Sequence, residues 1–286
     1  MANLKEIRNR ITSIGSTMQI TSAMKMVSAA KLKKAQDAII QMRPYSNKLT
    51  ELLQNLSATL DAEDGGAFTQ QKEVKKVLIV AITSNRGLCG GFNSNIIKHV
   101  KMLCDTKYSG KDVRILTIGK KGHDILSKTS KIYDNQSALF DDLNFDHAAV
   151  IAENLMEVFL NGSFDKIELV YNRFKNAATQ IVTEEQFLPI LPPQKEGNTS
   201  VDYIFEPSKK EIVLGIIPKS LKTQLYKAIR DSFAAEHGAR MTAMHKATDN
   251  AKDLRNELLL QYNKARQAAI TNEILEIVGG AEALKG

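Results

Sequence analysis

Residues 220–278 read SLKTQLYKAIRDSFAAEHGARMTAMHKATDNAKDLRNELLLQYNKARQAAITNEILEIV, with a single glycine, Gly238, and no proline. At a rise of ~1.5 Å per residue, one helix over this stretch would run roughly 88 Å. A small domain has no use for such a length. Periodic stretches past ~25 residues without internal caps belong to coiled coils, membrane spans or helical repeats. Charges from Arg230, Asp231, Glu236 and Arg240 through Asp249, Lys252 and Arg255 to Lys264, Arg266, Glu273 and Glu276 exclude a span. The apolar positions Met244, Ala247, Ala251, Leu254, Leu258, Ala265, Ala268 and Leu275 recur near heptad spacing, which marks a seam for another helix.

The partner stripe lies at the other end of the chain. Leu4, Ile7, Ile11, Ile14 and Met18 step by three and four, and two long terminal helices pair most simply antiparallel. Pro44 removes a backbone bond and predicts a kink, after which the helix resumes at Leu49, Leu52, Leu53, Leu56 and Leu60. At the far end, Ser220 is the expected N-cap of the long C-terminal helix. The resulting divisions are a helix over 1–60, a central domain over 73–208 and the long helix over 219–286.

Composition is that of an ordinary soluble chain: 286 residues, 43% hydrophobic and 25% charged. Its longest apolar runs are far short of the ~18 residues a span needs. The polar opening over 1–10 predicts neither a secretion signal nor a transit peptide. Cys89 and Cys104 have no metal-knuckle or redox-pair spacing, which fits a reducing compartment. The net charge of +7 is concentrated early, since residues 1–43 hold eight bases against Glu6 and Asp37. Such a helix meets nucleic acid, anionic lipid or an acidic protein, or is simply solvated.

The middle alternates strand and helix. Strands are predicted at 77–82, 113–118 and 166–171, with helices after the first two and over 146–160, which implies a parallel α/β sheet. Edge strands are predicted at 179–183, 186–190 and 203–205, with Leu191-Pro192-Pro193 as a turn and a short apolar stretch at 212–217 framed by Pro207 and Pro218. The loop SNRGLCGGFN over 84–93 sits where a doubly wound fold holds phosphate. Its Gly87, Gly90 and Gly91 match neither G-x-G-x-x-G nor a P-loop, so a tight strand-to-helix turn is the better reading. The histidines lack metal spacing, and His237 and His245 read as solvated on a surface helix. Asp141-Asp142 and Glu184-Glu185 are sequence neighbours that point apart, so no catalytic pair follows.

Three blocks carry a family resemblance: ITSAMKMVS over 20–28, the loop over 84–93, and YNKARQAAITNEILEIVGGA over 262–281. Together they closely resemble the gamma subunit of the rotary F-type ATP synthase, over essentially the whole chain. The resemblance implies an antiparallel coiled coil of the terminal helices, turning inside a ring of alpha and beta subunits, and a Rossmann-like central domain beside the epsilon subunit and the membrane c-ring. It implies a non-catalytic rotor that couples ion flow to ATP synthesis or hydrolysis on its partners. No cofactor, metal or catalytic residue of its own is expected, and the 84–93 loop is not a nucleotide site. Carried onto this chain, the beta-subunit contacts are Met24, Lys25, Lys31, Lys33 and Arg240 along the shaft and Arg266, Gln267 and Thr271 near its tip. Ile274 and Val278 belong to the apolar bearing. The implied location is peripheral, on the cytoplasmic face of a bacterial inner membrane. The regulatory cysteine insertion of chloroplast members is missing.

Two other functions fit parts of the chain. A basic coiled coil suits nucleic acid, but the basic helix has no interleaved aromatics and the chain no Trp. A nucleotide-dependent enzyme suits the central fold, and equilibrium dialysis with ATP and NAD discriminates it.

Overall fold

The structure, a computed structural model, describes residues 4–57, 67–191 and 209–283. Its elements in chain order are α1 (Leu4–Ser57), β1 (Lys76–Ile82), α2 (Phe92–Asp105), β2 (Asp112–Ile118), α3 (Lys120–Leu126), β3 (Ile132–Asn135), a 3-10 turn (Ser137–Phe140), α4 (Phe145–Leu160), β4 (Lys166–Phe174), β5 (Gln180–Leu188) and α5 (Lys209–Ala283). They form two compact units, one of Met1–Ser28 with Met241–Gly286 and one of Ala29–Arg240. Each terminal helix contributes to both.

The first unit is a helix pair. On α1 the covered or half-covered positions include Leu4, Ile7, Ile11, Ile14, Met18, Thr21, Lys25 and Ser28, a three-four alternation with Gly15, Ser22 and Met24 half-covered beside it. On α5 they include Met244, Thr248, Ala251, Arg255, Leu258, Tyr262 and Ala265, with the same alternation, and Ala247 and Leu259 are half-covered beside it. Thr248 Oγ1 donates to Thr21 Oγ1 at 2.8 Å, and Lys25 Nζ lies 3.2 Å from His245 Nδ1. The lower number on one helix meets the higher on the other, so the pair is antiparallel. Three of the expected seam positions are exposed: Leu254, where half-covered Arg255 holds the alternation instead, and Ala268 and Leu275 beyond Ala265.

The second unit is built on a five-stranded sheet ordered β3-β2-β1-β4-β5. β1 runs parallel to β2 and β4, β2 parallel to β3, and β5 antiparallel to β4. Successive side chains of a strand face opposite sides. Leu78, Val80 and Ile82 therefore enter one core with α4 and α5, while Val77, Ile79 and Ala81 enter another with α2 and α3. Covering on both faces is why this strand reads as a continuous apolar run. Beneath the second core, Glu168 is 1% exposed and is held by Lys107 Nζ at 2.8 Å and Lys166 Nζ at 2.7 Å. Burial works to raise its carboxyl, but these hydrogen bonds outweigh it and hold the group below the usual carboxylate range.

Several boundaries differ from the sequence reading. α5 begins eleven residues before Ser220, which lies inside it and is 5% exposed. Ile217, Leu221, Leu225 and Ala228 follow helical spacing into the core, and that burial overrides the boundary signal of Pro218. The stretch over 212–217 is accordingly helical. α1 is continuous through Pro44; Ile40 and Pro44 both face solvent, so the carbonyl freed by the missing N–H is open to water. The strands expected at 179–183 and 186–190 are one strand, β5, and β3 was not anticipated. The strand expected at 203–205 and the turn at Pro192-Pro193 lie outside the described residues.

Candidate functional site

The loop over 84–91 leaves β1 where the strand order turns, with β2 on one side and β4 on the other. Doubly wound folds bind ligands at this place. Here the chain fills it with its own side chains. Asn93 Oδ1 accepts from the Ser84 amide at 3.0 Å, Asn93 Nδ2 donates to Ser84 Oγ at 2.8 Å, and Ser84 Oγ donates to the Arg86 carbonyl at 2.7 Å. Arg240 Nη2 donates to the carbonyls of Arg86 at 2.9 Å and Gly87 at 3.2 Å. Carbonyls turned toward a guanidinium have the opposite polarity to a phosphate cradle, in which N–H groups face the ligand. Cys89 is buried with Phe92, Ala235 and Ala239, and burial pushes its thiol up, which leaves it unreactive. Leu88 projects from the loop, 64% exposed, at φ 62°.

Arg240 departs from the expected set of exposed contacts. It is 6% exposed and its Nη1 holds Glu236 Oε1 at 2.7 Å, so its donors are committed within the chain. His237 is likewise buried rather than solvated, at 5% exposure, with its ring edge-on to Phe233 at 4.5 Å. Gly238 favours the enclosure of α5 here: a Cβ would meet Ala177 Cα and the Phe174 ring at 3.3 Å, so a side chain would make the 174–177 segment give by a few tenths of an ångström.

Burial, with Arg240 nearby, lowers the His237 pKa from 6.5 to about 4. Below 6.5 the unfolded chain takes up a proton that the folded one refuses. This contribution is therefore complete above about pH 6.5 and is lost as pH falls toward 4, by about 3 kcal/mol at full extent. Glu236, pushed up by burial, works the opposite way because its folded carboxyl protonates first. His237→Leu is expected to flatten the fall in urea midpoint between pH 6.5 and 4 relative to the parent chain. An unchanged slope would place its origin elsewhere.

Of the remaining sequence-predicted contacts, Lys31 and Lys33 are exposed, while Met24 and Lys25 are half-covered in the helix pair. Ile20, Met26 and Val27 are 60, 65 and 57% exposed and were missed; their signal is that they are apolar yet out of phase with the α1 seam. Arg266, Gln267 and Thr271 are all exposed, with Thr271 Oγ1 donating to the Gln267 carbonyl at 2.9 Å. The pairs Thr21–Thr248 and Lys25–His245, continued along both helices, put position 4 opposite about 265. α5 therefore outlasts its partner. Ile270, Ile274, Leu275, Ile277 and Val278 are 47–67% exposed.

A family model described as ATP synthase matches residues 3–284. The ATP synthase gamma chain of Flavobacterium johnsoniae is 74% identical over 287 residues, covering 100% of both chains, and that of Christiangramia forsetii is 66% identical over 286 residues with the same coverage. Among solved structures, a chain of the Tetrahymena thermophila mitochondrial ATP synthase central stalk and c-ring matches with a TM-score of 0.59 and 26% identity, over 80% of this chain and 99% of that one. A chain of the Euglena gracilis mitochondrial ATP synthase in rotational state 3 matches with a TM-score of 0.70 over 98% of this chain and 94% of that one; at 21% identity it speaks for the fold alone. With an antiparallel helix pair, a mostly parallel sheet whose ligand crevice is filled by its own side chains, and relatives of this identity over its full length, the chain belongs to the ATP synthase gamma chain family.

Proposed function

We propose that this chain is the rotor shaft of an F-type ATP synthase, coupling ion flow through the membrane c-ring to ATP synthesis or hydrolysis on alpha and beta subunits, with the epsilon subunit beside its sheet. The observation that carries this is the helix pair with its overhanging apolar tip. A turning body needs stiffness, an asymmetric outline and no permanent bond to its bearing. The helix pair supplies stiffness, and its two helices, of 54 and 75 residues, differ in length. Each orientation presents different residues to the surrounding subunits, and a shaft shifts their conformations only by the difference in contact energy between states. Among the described residues no helix is long and apolar enough to cross a membrane, which suits a peripheral position on the cytoplasmic face of a bacterial inner membrane.

Ile274 and Val278 then sit in an apolar collar, and Arg266, Gln267 and Thr271 supply the directed hydrogen bonds just below it. Met24, Lys25, Lys31 and Lys33 face acidic lever loops of the beta subunits. Exposed ion pairs of this kind contribute about 0 to 1 kcal/mol each, weak enough to break at every step. Neutralising one of these lysines is expected to change coupling little, whereas Met24→Lys makes the contact adhesive and lowers the protons pumped per ATP. Normal pumping in Met24→Lys would count against this role, and the same assay on Arg266→Ala reads the tip contact. The proposal as a whole is tested by co-purification. A stable complex with alpha, beta and epsilon chains is the expected result; a chain that stays alone in the presence of all three rejects it.

A further inference from the structure

Within the sheet-bearing unit, a cavity of about 480 Å³ opens between α1, the end of β4 and α5. Its size falls in the ~300–1,000 Å³ range of small-molecule sites. Among the described residues, Phe174 and Ile181 give it an apolar floor, and four bases line it, Arg43, Arg173, Lys175 and Lys227, against one acid, Asp231. The acid is already engaged: Asp231 is 1% exposed, with Arg43 Nη2 at 3.1 Å. Arg43 also donates to the Phe174 carbonyl at 3.4 Å, which fixes its fork at the cavity wall. The side chains of Arg173, Lys175 and Lys227 make no hydrogen bond or ion pair with any described residue; those of Arg173 and Lys227 act on Asp231 across a distance.

Three cations that no described residue pairs directly repel one another around one concavity, and the arrangement lowers its energy most by taking up an anion. We propose that this cavity binds a phosphate-bearing anion of about diphosphate size. Guanidinium forks match phosphate oxygens bidentately and ammonium groups add point charge. A lone carboxylate would leave most of the positive charge unmatched, and walls on three sides suit a compact ligand better than an extended acidic segment. The cavity includes none of the contacts assigned to the shaft, so the failure of either proposal leaves the other standing.

The test is calorimetric titration of the full chain with inorganic pyrophosphate at low salt. Saturable binding of one equivalent is expected, weakened about tenfold or more by Arg173→Gln and by Lys227→Gln but unchanged by Lys128→Gln, which makes the same charge change outside the cavity. Each substitution alters a side chain without a described partner, and far-UV circular dichroism confirms the fold. Absent binding, or equal loss in all three variants, would reduce the effect to the chain's general charge of +7 and overturn the site. Competition by ADP against dihexanoyl phosphatidic acid identifies a soluble or a lipid source of the phosphate. A tetraglutamate peptide that binds more tightly than pyrophosphate with the same variant pattern would overturn the assignment in favour of an acidic protein segment.

Discussion

Gly119→Ala is expected to lower the stability of the sheet-bearing unit by roughly 3 to 5 kcal/mol. Gly119 joins β2 to α3 at φ 119° and ψ 130°, a conformation that L side chains rarely adopt. A Cβ there would fall 2.4 Å from the Thr83 carbonyl oxygen. That carbonyl cannot retreat easily. The Thr83 amide donates to the Ile118 carbonyl at 2.8 Å, extending the β1–β2 ladder by one residue, and its hydroxyl donates to the Gly119 carbonyl at 3.2 Å while accepting from the Gly122 amide at 3.0 Å. Strain and clash thus fall on the residue that ties two strands to a helix. Urea unfolding followed by the near-UV signal of the buried tyrosines is the measurement. A loss under about 1 kcal/mol would mean that the turn rearranges and that Thr83 is no anchor.

Arg43→Met should cost about 2 to 4 kcal/mol at pH 7, because it leaves a buried carboxylate without its partner. Asp231 is already pushed up by burial, with Arg43 pulling against that rise. Removing the guanidinium raises it further. A carboxyl whose folded pKa lies above its unfolded value opposes folding while ionised, and this opposition disappears as pH falls through the folded pKa. The cost of Arg43→Met is therefore largest at neutral pH and above and shrinks in mildly acidic solution. Adding Asp231→Asn should recover most of the loss at pH 7. A loss independent of pH and unrelieved by the second substitution would show that Arg43 contributes packing alone.

The helix pair was legible because a heptad seam is a repeated signal: Leu254 for Arg255 does not disturb the register, and Ala268 and Leu275 read as seam only because the apolar pattern continues past the end of the partner helix. β1 was legible because burial on both faces leaves an uninterrupted apolar run. β3 was not, since its four residues alternate half-covered and exposed at the sheet edge. β5 was split by Glu184 and Glu185, which read as a break; in the folded chain Glu185 accepts from the Tyr171 hydroxyl at 2.8 Å and Glu184 is engaged by Lys107. The start of α5 was misplaced because Pro218 and Ser220 carry local boundary signals, while the packing that outweighs them comes from residues distant in sequence. The same limit applied to charge. Arg240 is held against carbonyls more than 150 positions away, and no periodicity separates such a residue from a solvated base.

The overhang of α5 also bears on how much of this chain a cell can hold. An isolated helix of about a dozen residues is marginal in water, and a contiguous apolar face of this kind on a free protein promotes association. Until something covers Ile270 through Val278, each newly made copy is a candidate for self-association or proteolysis. Supply in excess of its binding partners would then be removed rather than stored. Abundance would be set by the availability of those partners, and the exposed face would act as a stoichiometric gauge written into α5.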